Sequence, residues 1–202
     1  MKRLWGKFGL TPTLASAWSR NLVIFAVTVF LVRFGQGLLN GARMNFFVET
    51  LGLSGGQVLW LEGIRELPGL ALIFVAALTM LLPLSVQAAL SVLLMGLGYA
   101  LYAFVGSYAA LLGASIVASF GFHLWTPMNS AIGMSLSSKE NAGRVLGTLA
   151  SVGSLAAIAG MGAISLISRF FESMPLTNYN LAGGISIMLG ALALLTLPRG
   201  VG

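Results

Sequence analysis

Four polar residues recur at helical spacing inside an apolar stretch near the amino terminus: Arg33, Gln36, Asn40 and Arg43. Steps of three and four place them on one face of a helix. A second stretch, Leu61-Glu-Gly-Ile-Arg-Glu-Leu-Pro-Gly69, supplies the opposite charge, with Glu62 and Glu66 on a common face and Arg65 beside them. A third, Phe120-Gly-Phe-His-Leu-Trp-Thr-Pro127, carries the chain's one histidine, His123, and Trp125. Guanidinium, carboxylate, amide and imidazole groups on facing helices can hold a polar solute, relay a proton or lock two helices in register. The absence of cysteine removes thiolate metal sites, and one histidine with no aspartate leaves little for a metal cage or a hydrolytic triad. No catalytic, metal-binding or cofactor-binding residue is assigned.

The elements that must position these residues follow from composition. Of 202 residues, 57% are hydrophobic and 8% charged, where a soluble chain carries about 25% charged. So few charges cannot clothe a water-facing surface, and the mean hydropathy of +0.95 agrees. The net charge of +6 does not make a nucleic-acid groove, because the basic residues stand singly between apolar runs rather than clustered on a solvated face. The partner is a lipid bilayer. In lipid an open strand cannot satisfy its backbone, so the spans are helices.

About 20 apolar residues are needed for each crossing. Six such segments are expected, at about 21–48, 57–82, 85–105, 108–132, 143–168 and 181–197, with turns at Leu51-Gly-Leu-Ser-Gly-Gly56, Pro83, Gly106-Ser107, Ser135–Asn141 and Arg169–Asn180. Residues 1–20, with Lys2, Arg3, Lys7 and Arg20 among Trp5, Phe8 and Trp18, read as a cytoplasmic or interfacial segment rather than a cleaved signal peptide. If both termini face the cytoplasm, that side holds Lys2, Arg3, Lys7, Arg20, Lys139, Arg144 and Arg199, against Arg43 and Arg169 outside. The excess of positive charge sets that orientation.

Arg33 falls near mid-bilayer, where a lone arginine costs several kcal/mol unless it meets a partner or water. Antiparallel packing of the first two spans sets Arg43 at the height of Glu62 and Asn40 at that of Glu66, with Arg33 a turn or two deeper. A charge network lining an aqueous path is one reading, and a structural ion-pair cluster fixing register is the other. His123 is the one side chain whose unperturbed pKa lies near neutrality, so it can couple transport to protons or simply bond a neighbouring helix. Trp125 and Met128 can wall a cavity or pack. In the fifth span Gly143, Gly147 and Ser151 recur every four residues, and Gly37-x-x-x-Gly41 does so in the first; small residues at this spacing permit close helix approach or a rocking surface. The Gly35-x-Gly37-x-x-Asn40 run follows no strand and is no nucleotide loop.

Several stretches resemble the amino-terminal half of a major facilitator superfamily transporter. Phe47-Val-Glu-Thr-Leu-Gly-Leu-Ser54 with Gln57-Val looks like the loop after that family's first helix. Ser137-Ser-Lys-Glu-Asn-Ala-Gly-Arg-Val-Leu-Gly147 resembles its loop between helices four and five, and Gly153–Gly162 its glycine-rich fifth helix, without the usual proline. The family's charged loop between helices two and three is missing: Ala77-Leu-Thr-Met-Leu-Leu-Pro-Leu-Ser85 carries no charge.

The resemblance implies an all-α, six-helix half bundle working by alternating access against a second half, in cis or on another chain. It implies a small-molecule solute, with proton coupling an option. On this reading Arg33, Gln36, Asn40, Arg43, Glu62, Arg65, Glu66, His123 and Trp125 line the solute or proton pathway. The chain is expected to be a half-length or truncated transporter, Arg199-Gly-Val-Gly202 resembling a severed central linker, and to reside in a bacterial-type plasma membrane. The rival reading is a non-transporting six-helix subunit or interaction module. A channel lacks a filter or charged ring. An intramembrane serine enzyme at Gly113-Ala-Ser115 lacks a histidine on another helix.

Overall fold

The computed structural model describes residues 18–72, 74, 81–171 and 174–198. Among the described residues every regular element is helical. Helix α1 spans Arg20–Asn45 and continues through a wider π-type turn at Phe46–Thr50. Helix α2 is Gly55–Leu70, α3 Leu84–Leu101 with a 3-10 turn at Tyr102–Phe104, α4 Tyr108–Ser135, α5 Ala142–Phe170 and α6 Leu176–Leu195. Five of these are long and apolar enough to cross a membrane: 31 residues over Arg20–Thr50, then 21, 28, 29 and 20 residues. The described part of α2, 16 residues, covers the first portion of the second expected span. Residues 73 and 75–80, which hold most of that span's remainder and the first part of the uncharged loop, lie outside the described residues. So do residues 1–17 of the basic amino-terminal segment and residues 199–202 of the linker-like end.

Local chemistry explains the helix ends. Ser19 caps α1 by accepting from the Leu22 amide at 3.2 Å. Gly52 takes a φ of 64°, a left-handed conformation that favours glycine. The chain then enters α2 through a capping box in which Ser54 and Gln57 satisfy each other's backbone amides. Ser107 caps α4 in the same manner. In the loop before α5, Glu140 is held below the usual carboxylate range by its own backbone amide and by the Ser138 hydroxyl.

Two boundaries differ from expectation. Helix α5 runs on to Phe170, and α6 starts at Leu176 rather than near 181, so the loop expected over Arg169–Asn180 contracts to a few residues. Polar Thr177, Asn178 and Asn180 look like loop residues in sequence. Behind Pro175, whose ring pre-sets the entry to a helix, they form the first turns instead, with the Asn178 amide donating to the Pro175 carbonyl at 3.0 Å.

The packing repeats itself. Helix α1 packs on α5 and α6, α4 packs on α2 and α3, and α3 lies against α6. Exchanging the first three helices for the last three reproduces this pattern. Small residues make the crossings close. A Cβ at Gly37 would collide with the Ala157 backbone, at Gly160 with Phe34, at Gly98 with Ala118 and at Gly121 with Met95 and Ser91. In lipid, where apolar side chains gain little by leaving the tails, such close contact drives helix association. Interhelical hydrogen bonds add to it: the Ser186 hydroxyl donates to the Leu31 carbonyl at 2.8 Å, and Thr28 to that of Gly190 at 3.4 Å. The small-residue stripe expected to rock divides in two. Gly153 and Gly160 are packed against α1, whereas Gly143 and Gly147 face open space.

Candidate functional site

Arg33 stands thirteen residues into α1, about 20 Å along its axis, halfway through the span. Its side chain reaches the cavity surface and donates from Nη1 to Gln36 Oε1 at 3.0 Å. Gln36, only 8% exposed, in turn donates to the Met95 sulfur at 3.6 Å, so its amide is fixed between α1 and α3. Gly153 on α5 lies against the Arg33 stem, which leaves room for the guanidinium to lie along the helix.

Two cavities meet at this pair. The larger, about 430 Å³, is bounded by α1, α4 and α5, with Arg33, Gln36, Trp125, Asn129, Ser130 and Ser154 among its walls. It extends toward the end of the bundle where α1 and α5 begin and α4 finishes. The smaller, about 210 Å³, lies between α1, α2, α3 and α4 and is walled by Arg33, Gln36, Asn40, Arg65, Tyr99 and Phe122. Arg33, Gln36 and Phe122 form the waist common to both.

Beyond the waist the charges interlock. Arg43 Nη1 lies 3.4 Å from Glu62 Oε1, the height that antiparallel packing of the first two spans requires. Arg65 Nη1 donates to Glu62 Oε2 at 2.7 Å, and its Nη2 donates to the Tyr99 hydroxyl at 3.4 Å. One carboxylate therefore serves two guanidinium groups. Helix α2 is held on α4 by the Ser119 hydroxyl, which donates to the Arg65 carbonyl in the turn before Pro68. Nearby, the Tyr102 and Ser115 hydroxyls share a buried hydrogen bond at 2.6 Å. The serine considered above as an enzymatic nucleophile is thus fully buried and bonded to a tyrosine.

Glu66 does not join that network. Its side chain is 74% exposed and faces His123 Nε2 at 3.6 Å, across the α2–α4 contact. Gly69 makes this possible, since a Cβ there would press on the imidazole. The network expected between Arg33 and the two glutamates is thereby divided into three: Arg33 with Gln36, Glu62 with Arg43 and Arg65, and Glu66 with His123. The physical reason is that α2 packs on α4 rather than along α1. Trp125 is 5% exposed, packs on Phe25 with ring centroids 6.2 Å apart, and walls the larger cavity. Met128 instead turns inward and accepts from Ser91 at 3.6 Å.

Of the nine residues read from the sequence, Arg33, Gln36 and Trp125 wall the larger cavity, and Asn40 and Arg65 join the first two in the smaller. Arg43, Glu62, Glu66 and His123 are absent from both linings. Sequence reasoning passed over Phe122, Thr126, Asn129 and Ser130, although their steps of three and four mark one face of α4. Tyr99 carried no signal, because a tyrosine in an apolar run reads as packing. No family model matches the chain, and no curated protein matches it significantly.

Proposed function

We propose that this chain is a six-helix half of a secondary transporter of the major facilitator type, moving a small solute by alternating access against a second six-helix unit. The observation that carries the reading is the wet seam. Arg33, Asn40, Glu66, Thr126, Ser130 and Ser154, drawn from four helices, are all exposed, and five of them border the two cavities or their waist. Hydrocarbon opposite such groups is costly, so water, solute or a second protein surface belongs there. Support also comes from the exchange symmetry of the packing. Short connections make successive helices antiparallel, so swapping α1–α3 for α4–α6 inverts direction, a repeat suited to alternating access.

In this reading both termini face the cytoplasm of a bacterial-type plasma membrane, and the larger cavity opens on that side. The exposed faces of α2 and α5, including Leu59, Leu67 and Leu70 on one and Leu155 and Ile158 on the other, meet the second unit or lipid. The Glu66–His123 pair is the place where a proton would load. Reconstitution of the full chain in proteoliposomes, with counterflow of a panel of small solutes, tests the proposal. Loss of flux in Arg33→Gln and Glu66→Gln is the expected result. Wild-type flux in both variants at normal expression leaves them a structural role, and no flux of any solute favours a non-transporting six-helix module.

A further inference from the structure

The charge balance of the cavity names its ligand. The sequence places two basic residues and two glutamates close together, which cancels any preference for the sign of a solute. The structure separates them. Glu62 is engaged by Arg43 and Arg65, and Glu66 faces His123 across the α2–α4 contact. Among the described residues no aspartate or glutamate lines either cavity, and Arg33 forms no ion pair. Its one hydrogen-bonding partner is the neutral amide of Gln36. Because two arginines share Glu62, the network beyond the waist is itself net positive.

We infer that the 430 Å³ cavity binds a small organic monoanion, its carboxylate or comparable oxyanion paired with Arg33 and its apolar body laid against Trp125 and Phe122. The inference rests on the transporter reading above and specifies the solute class for the same cavity. A guanidinium presents parallel N–H donors that fit a carboxylate in a bidentate pair, and Gln36 already holds one edge of it in place. The aromatic wall supplies the complementary apolar surface. Asn129 and Ser130 add polar side chains to the same wall. A cation would meet Arg33 with no carboxylate to offset it.

The test uses the full chain in detergent micelles or nanodiscs and three isosteric probes: phenylacetate, phenylacetamide and phenethylammonium. Binding is read by thermal stabilisation and by tryptophan fluorescence. Phenylacetate is expected to bind about tenfold or more tightly than the amide, the scale of one charge-assisted pair, and the ammonium to bind more weakly still. Arg33→Gln should abolish the preference, Arg33→Lys should retain part of it, and Arg169→Gln, which removes an equal charge outside the cavity, should leave it intact. Absence of phenylacetate binding, equal binding of all three probes, or a preference that survives in folded Arg33→Gln overturns the inference. Vesicle flux separates it from the broader proposal. Anion binding without flux refutes transport and leaves the site standing, whereas flux without anion preference refutes the site and leaves transport standing.

Discussion

Replacing Glu62 with glutamine removes the one anion that two arginines share. Arg65 Nη1 approaches Glu62 at 2.7 Å and Arg43 Nη1 at 3.4 Å, with side-chain exposures of 14% for Arg65, 28% for Arg43 and 37% for Glu62. Breaking a fully buried pair costs about 3–5 kcal/mol, because the surviving charge stays desolvated. An exposed pair is worth at most about 1 kcal/mol. Glu62 is partly solvated and Arg65 largely buried, so the cost of Glu62→Gln falls between these limits, at about 2–3 kcal/mol, or about 30- to 150-fold in the unfolding equilibrium. Tyr99 remains as a neutral acceptor for Arg65, and the Arg65 Nε, already unpartnered, stays so.

The measurement is reversible unfolding in mixed micelles of rising dodecyl sulfate fraction, followed by far-ultraviolet circular dichroism. The double variant Glu62→Gln/Arg65→Gln should lose less than the sum of the singles, with a coupling of about 1 kcal/mol or more. Arg43→Gln should be the mildest single change, since its contact is longer and wetter. A Glu62→Gln protein within about 0.5 kcal/mol of wild type, or an Arg43→Gln loss exceeding that of Arg65→Gln, would mean that Glu62 does not hold the two arginines.

Ser115→Ala strands the buried Tyr102 hydroxyl and should cost about 1–3 kcal/mol, while adding Tyr102→Phe should recover part of that loss; additive losses in the same unfolding assay would contradict the shared bond. Gly121→Leu should prevent normal packing of α4 on α3, because a side chain there meets the Met95 backbone, whereas Gly113→Ala meets nothing and should stabilise by up to about 1 kcal/mol; thermal unfolding distinguishes them. The chain has no cysteine, so single cysteines at Ser130, Ser154, Val27 and Phe30 can be compared directly. The first two should react with a membrane-impermeant thiol reagent and the last two should not, and equal labelling at all four would eliminate the wet seam. Within the transporter reading, His123→Gln should flatten the dependence of solute flux on pH, and an unchanged profile would remove the proton role of the Glu66–His123 pair.

Much of the architecture was legible in the residue order. Long apolar runs need internal backbone satisfaction in lipid, so helices at their observed positions follow from length and hydropathy, and the 3-4 spacing of Arg33, Gln36 and Asn40 puts them on one face before any coordinates exist. The height of Arg43 against Glu62 follows from simple antiparallel arithmetic. The early start of α6 was hidden because Thr177, Asn178 and Asn180 are polar, and only the neighbouring helices that bury Tyr179 and Asn180 make that turn worth forming.

What tertiary structure decided was which charges meet. One-dimensional spacing says which side of its own helix a residue occupies, but not which neighbour that side faces. Glu62 meets Arg43 of α1 and Arg65 of its own helix, while the packing of α2 on α4 turns Glu66 toward His123 and leaves Arg33 with a neutral amide. Ion pairing falls off over a few ångströms and depends on burial, so the same five charged side chains could have made a neutral cluster or a positive cavity. Helix packing, set by where glycines admit close approach, chose the second.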